Sequence, residues 1–129
     1  MAEWLNIGID NFKSGCVLRD SSKAECWRSS VNRFYYAAFA VLTEALSGQF
    51  DTANDQETPS HKGLPRLIKH ELVSVSETTR GEVVRIIRRL YAARIDADYR
   101  RRTVDRKTAQ DARRDTVALF EALGVSYAD

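Results

Sequence analysis

Apolar residues recur every three or four positions through nearly all of this chain, and that spacing admits little besides helices. Glu3 to about Arg19 reads as a first helix with Leu5, Ile9, Phe12 and Cys16 on one side. Asp20-Ser21-Ser22 breaks it. Ser21 or Ser22 can cap the next helix, and Glu25, three residues after Ser22, completes a capping box. The second helix runs to about Ser47 and stops at Gly48. Its stripes, Val31-Phe34-Ala38-Val41-Ala45 and Arg28-Asn32-Tyr35-Phe39-Leu42-Leu46, cover more than half its girth. This helix is therefore expected at the centre, with apolar surface to spare for self-association through the second and fourth helices. Gln49 to Ser60 is polar and reads as a loop. His61 to about Val75 gives a third helix, with Pro65 in its first turn and Leu64, Leu67, Ile68 and Leu72 inward. Ser76 or Thr78 starts a fourth through about Asp98, with Val83, Ile87, Leu90, Arg94 and Ala97 in line. Asp105 or Thr108 starts a fifth through Leu123, with Ala109, Ala112, Thr116, Leu119 and Phe120 inward, and Gly124 ends it. No strand pattern competes. The expected fold is all-α, an antiparallel, up-and-down bundle of about five helices forming a single domain over residues 1–129.

Composition narrows the function classes. Hydrophobic residues make up 43% and charged residues 29%, a globular balance rather than a disordered one. The two cysteines, Cys16 and Cys26, form no CxxC and lie near no histidine, so neither a disulfide framework nor a metal site is expected. A reduced, cytoplasmic compartment follows. The N-terminus shows no basic, apolar leader, and no stretch approaches the ~20 apolar residues of a membrane span. No GxSxG, glycine-rich phosphate loop or HExxH occurs, and no cofactor is implied.

Charge is unevenly placed. Between Arg80 and Arg114, twelve basic residues face five acidic ones, a net of +7; the total of +2 leaves −5 for the rest. Arginine dominates this segment, which suits bidentate contacts with phosphate or carboxylate. A solvated face meeting an acidic surface of the same fold accounts for it equally well.

Two segments set charges among aromatic rings at helical spacing. Arg33 adjoins Phe34-Tyr35-Tyr36 on the second helix. Tyr35 and Tyr36 point about 100° apart, so one ring is expected in the core and the other reaching polar groups through its hydroxyl. Arg94 lies on the inward stripe of the fourth helix with Asp98 at i+4, and Asp98 can pair with Arg94 or reach across to Arg33. Both arginines are expected to be partly buried with Asp98 as their nearest carboxylate. A closed structural network of these groups with a tyrosine hydroxyl is one reading; an anion- or base-binding corner is the other. His61 opens a helix and His70 sits on a basic turn. Arg100-Arg101-Arg102 forms a corner able to grip phosphate or simply to face solvent.

Three ordered motifs carry a resemblance. Arg33-Phe34-Tyr35-Tyr36-Ala37-Ala38-Phe39 is followed by Ser60-His61-Lys62-Gly63 and then by Arg94-Ile95-Asp96-Ala97-Asp98-Tyr99. Over nearly its whole length the chain resembles small stand-alone bacterial members of the HEPN domain superfamily. The resemblance implies a helical bundle that dimerises. It also implies work on RNA or nucleotides in toxin–antitoxin or defence modules, in some cases beside a nucleotidyltransferase partner. Many such proteins are metal-independent ribonucleases whose signature is an arginine, four to six residues, then a histidine. Here Arg94 is followed by four residues and Tyr99, and a tyrosine with a reference pKa of about 10 is a poor base at neutral pH. The expected role is therefore non-catalytic binding of a nucleotide or RNA by a homodimer. Arg33, Tyr36, Arg94, Asp98, Tyr99, Arg100, Arg101 and Arg102 are the candidate anion-binding residues. The alternatives are an endoribonuclease using Arg94 with Tyr99 or His61, and an adaptor whose basic face docks an acidic protein.

Overall fold

The computed structural model describes residues 2–47, 59–99 and 104–127. Five helices follow one another: α1 (Ala2–Arg19), α2 (Ala24–Ala45), α3 (Leu64–Glu71), α4 (Glu77–Tyr99) and α5 (Arg106–Ala122). Among the described residues there is no strand, and the all-α bundle stands. None of the helices is long and apolar enough to cross a membrane.

The central place of α2 has a physical basis. It packs against α1, α4 and α5, while α3 rests on α4. Its buried side chains run almost without interruption from Ser30 to Thr43. The surplus apolar girth expected to drive self-association is thus covered within one chain. On the α1 side, two glycines allow a close approach. A Cβ on Gly8 would stand 2.7 Å from Val41 Cγ2, and one on Gly15 would stand 2.8 Å from the Phe34 ring. Ser30 Oγ uses that proximity to donate to the Gly15 carbonyl at 2.7 Å. Beyond it, Phe12 packs against Phe34 and Phe120 with centroids 5.7 and 5.4 Å away. These three rings are fully buried, and each contributes roughly 1.5–3 kcal/mol of apolar transfer.

Helix ends follow local chemistry. Ser76 Oγ accepts the Thr79 N–H, and Asp105 accepts the Thr108 N–H at 2.9 Å, so α4 and α5 begin where capping residues were expected. Gly124 takes φ +70°, the left-handed stop after α5. Two expectations fail. The capping box of Ser22 and Glu25 does not form: Lys23 is the N-cap and offers no side-chain bond. Ser21 Oγ instead takes the Lys23 N–H, and its carbonyl takes the Trp27 indole and an Arg106 Nη2. The third helix is shorter than His61–Val75. Ser60 Oγ binds the Gly63 N–H in a local turn that keeps His61 out of the helix. At its other end, Arg80 Nη1 draws the Val75 carbonyl to 2.7 Å, holding that link in a non-helical path. The expected end of α2 at Gly48 lies outside the described residues.

Candidate functional site

The antiparallel run of α2 against α4 brings Tyr35, Tyr36, Tyr91 and Arg94 together, and the turn before α3 inserts His61. Tyr35 is 1% exposed. Its ring centroid is 5.3 Å from Tyr36, 5.5 Å from His61 and 5.6 Å from Tyr91. Phe39 closes the back, 4.5 Å from the imidazole. The Arg94 guanidinium lies over three of these rings, at 5.2 Å from Tyr36, 5.6 Å from Tyr35 and 5.9 Å from Tyr91. Cation–π attraction, ~0.5–2 kcal/mol per well-placed ring, explains how an inward arginine is tolerated.

One carboxylate completes the arrangement. Asp98 Oδ2 stands 3.4 Å from Arg94 Nε, and Asp98 Oδ1 accepts from Asn32 Nδ2 at 2.9 Å. The ion pair is long: among the described residues the buried Arg94 Nε has no hydrogen-bond acceptor, and the buried Asn32 Oδ1 has no donor. Arg28 Nη1 donates to the Ala97 carbonyl, fastening the last turn of α4 to α2. The sequence expectation for Arg33 therefore needs correction. Arg33 is exposed, it donates to Asn11 Oδ1 at 3.1 Å, and Asp98 reaches Asn32 in its place. Arg33 is one residue, or about 100°, round the helix from Asn32, which turns it from α4 toward α1.

Tyr35 OH and His61 Nδ1 are 2.5 Å apart. Burial pushes the Tyr35 phenol well above its usual range, with Arg94 opposing weakly. Burial, and then the Arg94 charge, lowers His61. Both groups are therefore neutral at pH 7. The buried phenol has no other acceptor among the described residues, so it donates to Nδ1 and leaves the imidazole proton on Nε2. The expected division of labour between the tyrosines is also corrected. Tyr35 is both the core ring and the one whose hydroxyl is engaged. Tyr36, though turned away along the helix, still meets the same guanidinium.

An open hollow of about 580 Å³ lies over this cluster, walled by Leu18, Ser29, Asn32, Arg33, Tyr36, Arg94 and Asp98. It unites four of the candidate residues: Arg33, Tyr36, Arg94 and Asp98. His61 sits behind Tyr35 rather than on the wall. Tyr99 is 70% exposed and lines no part of the hollow. Arg100, Arg101 and Arg102 lie outside the described residues. His70 is exposed on α3. Asn32, Tyr91 and Arg28 were not singled out from the sequence. Tyr91 was signalled by its place three residues before Arg94, one turn away on the same face. No group of three or more His, Cys, Asp or Glu able to hold a metal occurs among the described residues.

A helical bundle with an arginine over a tyrosine floor, open to solvent on one side, defines a class of module that can hold a flat or anionic ligand. The chain belongs to the HEPN domain family, whose model matches residues 1–125. No curated protein and no solved structure matches it.

Proposed function

We propose that this chain is a nucleotide- or RNA-binding component of a prokaryotic toxin–antitoxin or defence module, cytoplasmic and homodimeric, that does not itself cleave RNA. Family membership supports the ligand class. The observation that carries the reading is the hollow in which Arg94, Arg33, Asn32 and Tyr36 share one wall. A guanidinium offers a planar fork to phosphate, and an adjacent ring offers a stacking face worth ~1–3 kcal/mol per base. The buried Asn32 Oδ1, without a donor among the described residues, is an acceptor suited to an exocyclic amine. The test is binding of AMP and of a single-stranded RNA by the full chain at low salt. Arg94→Lys should weaken both at least ~10-fold with the fold intact, because lysine keeps the charge and loses the fork. No binding by the wild type would leave only the adaptor reading. Dimerisation is tested by light scattering, where a mass of 14.6 kDa would mark a monomer. Co-purification with a nucleotidyltransferase encoded alongside would place the module.

One observation favours a second reading, a metal-independent endoribonuclease. His61, distant in sequence, packs on Tyr35 and Tyr91, the rings that also carry Arg94. An arginine and a neutral histidine are thereby brought near each other, and arginine can stabilise phosphorane charge while histidine moves protons. Against it, His61 Nδ1 is occupied by Tyr35, and Tyr99 faces away from the hollow. RNA cleavage in the presence of a chelator, lost in His61→Ala, would establish this second reading in place of the first.

A further inference from the structure

A second hollow, about 680 Å³, lies between α3 and α4 and shares no lining residue with the first. Its α4 wall is one face of that helix: Glu77, Arg80, Arg85 and Arg88 recur on it at helical spacing. Arg66 and Lys69 line it from α3. Five cations thus meet one acid, Glu77. They are not equally available. Arg85 is held by Glu82 at 2.6 Å. Arg80 donates to the Val75 carbonyl at 2.7 Å, yet its buried Nε has no acceptor among the described residues. Arg66, Lys69 and Arg88 are exposed and have no carboxylate partner among the described residues. On α5, by contrast, Lys107 and Arg114 both meet Asp111. Exposed cations on this bundle do find acids, and the three at this hollow do not.

The rest of the lining narrows the ligand. Pro65 and Val84 give the hollow a half-buried apolar part. Beside them, a Cβ on Gly81 would come no nearer than 3.9 Å to another side chain, at Arg85 Nη1. Packing therefore leaves room for a side chain where the sequence has none, although glycine weakens a helix interior. Among the described residues the one aromatic group here is the His70 imidazole, and no Phe, Tyr or Trp offers a base a stacking face. Guanidinium forks and an ammonium suit carboxylate as well as phosphate. The apolar part suits an aliphatic side chain beside the charges, which a peptide supplies and a phosphodiester chain does not. Arg80 and Arg88 stand ~12 Å apart along the α4 axis, a length matched by about four extended residues at ~3.3 Å each. We infer that the α3–α4 hollow is a docking site for an acidic segment of a partner protein. Its carboxylates engage Arg66, Lys69 and Arg88, and an aliphatic side chain of the segment lies over Gly81 and Val84.

This site goes beyond the nucleotide reading, and each can fail without the other. The full chain is titrated at low salt with a fluorescent, capped peptide of alternating glutamate and valine, about six residues long. One control carries glutamine for glutamate, and another is a single-stranded RNA of equal charge. The wild type should bind the glutamate peptide with a Kd below ~1 mM and at least ~10-fold more tightly than the glutamine one. Lys69→Ala/Arg88→Ala should weaken it ~10-fold or more through lost charge-assisted contacts. That variant should keep the helical circular dichroism spectrum and bind AMP as the wild type does. Lys69→Glu/Arg88→Glu should instead take up a lysine version of the peptide, the mark of a charge exchange within one site. Gly81→Leu should raise the melting temperature and weaken the glutamate peptide by filling the hollow. Lys107→Ala/Arg114→Ala, whose cations serve Asp111, should leave the peptide's affinity unchanged. An equal loss in that α5 variant would reduce the binding to overall charge and overturn the site. Unimpaired binding by Gly81→Leu would overturn it too. So would an RNA affinity that Lys69→Ala/Arg88→Ala lowers more than the peptide's, which would assign the hollow to phosphate. A wild type that binds AMP and not the glutamate peptide would end the docking site and leave the nucleotide reading standing. The reverse result would support docking and end the nucleotide reading.

Discussion

Phe34 and Tyr35 are neighbours in sequence and serve opposite sides of α2. Phe34 enters a cluster with Phe12 and Phe120, closed on the α1 side by Gly15. Tyr35 enters a cluster that carries a hydroxyl, an imidazole and a guanidinium. Both are fully buried. The first side is held mainly by shape, with the Arg113 guanidinium 5.5 Å from the Phe12 ring as its charged contact. The second is held by shape and by matching each polar atom to a partner, and two atoms there, Arg94 Nε and Asn32 Oδ1, remain unmatched. Unmatched buried polar atoms cost stability. Both belong to residues that wall the hollow, where the bundle is left open.

The contrast can be broken by mutation. Phe34→Ala should cost the most, about 3–5 kcal/mol in urea unfolding, as a large ring is removed from a close-packed site. A loss below about 1.5 kcal/mol would show that the phenylalanine side is not the tighter one. Tyr35→Phe keeps the ring and removes the hydroxyl, leaving His61 Nδ1 without its donor; a cost of about 1–2 kcal/mol is expected. A double-mutant cycle with His61→Phe should return most of that as coupling. Asp98→Ala should cost about 1 kcal/mol or less, not the several of a fully buried pair, because its side chain is 30% exposed and that of Arg94 20%. A larger loss would mean that the Asn32 bond carries more than the ion pair.

The smallest expected effect is on pH dependence. Burial and Arg94 lower the pKa of His61 in the fold. The unfolded chain then binds the proton more readily, so His61 contributes stability that is present above about pH 6.5 and is lost as pH falls through the depressed folded value. His61→Gln should flatten the urea midpoint below that pH. An unchanged acid limb would show that the imidazole is better solvated than its packing implies.

Much of this was legible in the sequence, because apolar periodicity and capping residues are local signals. The inward faces of α4 and α5 and the starts at Ser76 and Asp105 follow from them. What failed depended on contacts across the fold. The Ser60–Gly63 turn and the pull of Tyr35 on His61 shortened α3, and neither shows in a helical stripe. Arg94 and Asp98 were readable as an i+4 pair. That Asp98 turns to Asn32 and not Arg33 depends on how α2 is rotated against α4. Helical spacing placed Tyr35 and Tyr36 on different surfaces, yet side chains this long still converge on one cation.

The tight seating of α1 on α2 has a consequence for kinetics. The two helices are joined by a four-residue link, residues 20–23, so their contacts close short loops and belong among the first to form. The aromatic cluster beneath the hollow, by contrast, needs Tyr35, His61 and Arg94, contributed by three separate stretches of chain. Phe34→Ala should therefore act mainly by slowing refolding, and Asp98→Ala mainly by speeding unfolding. In stopped-flow chevrons the first should move the folding limb and the second the unfolding limb. The half of the molecule that bears the hollow would then be the last to assemble and the first to open.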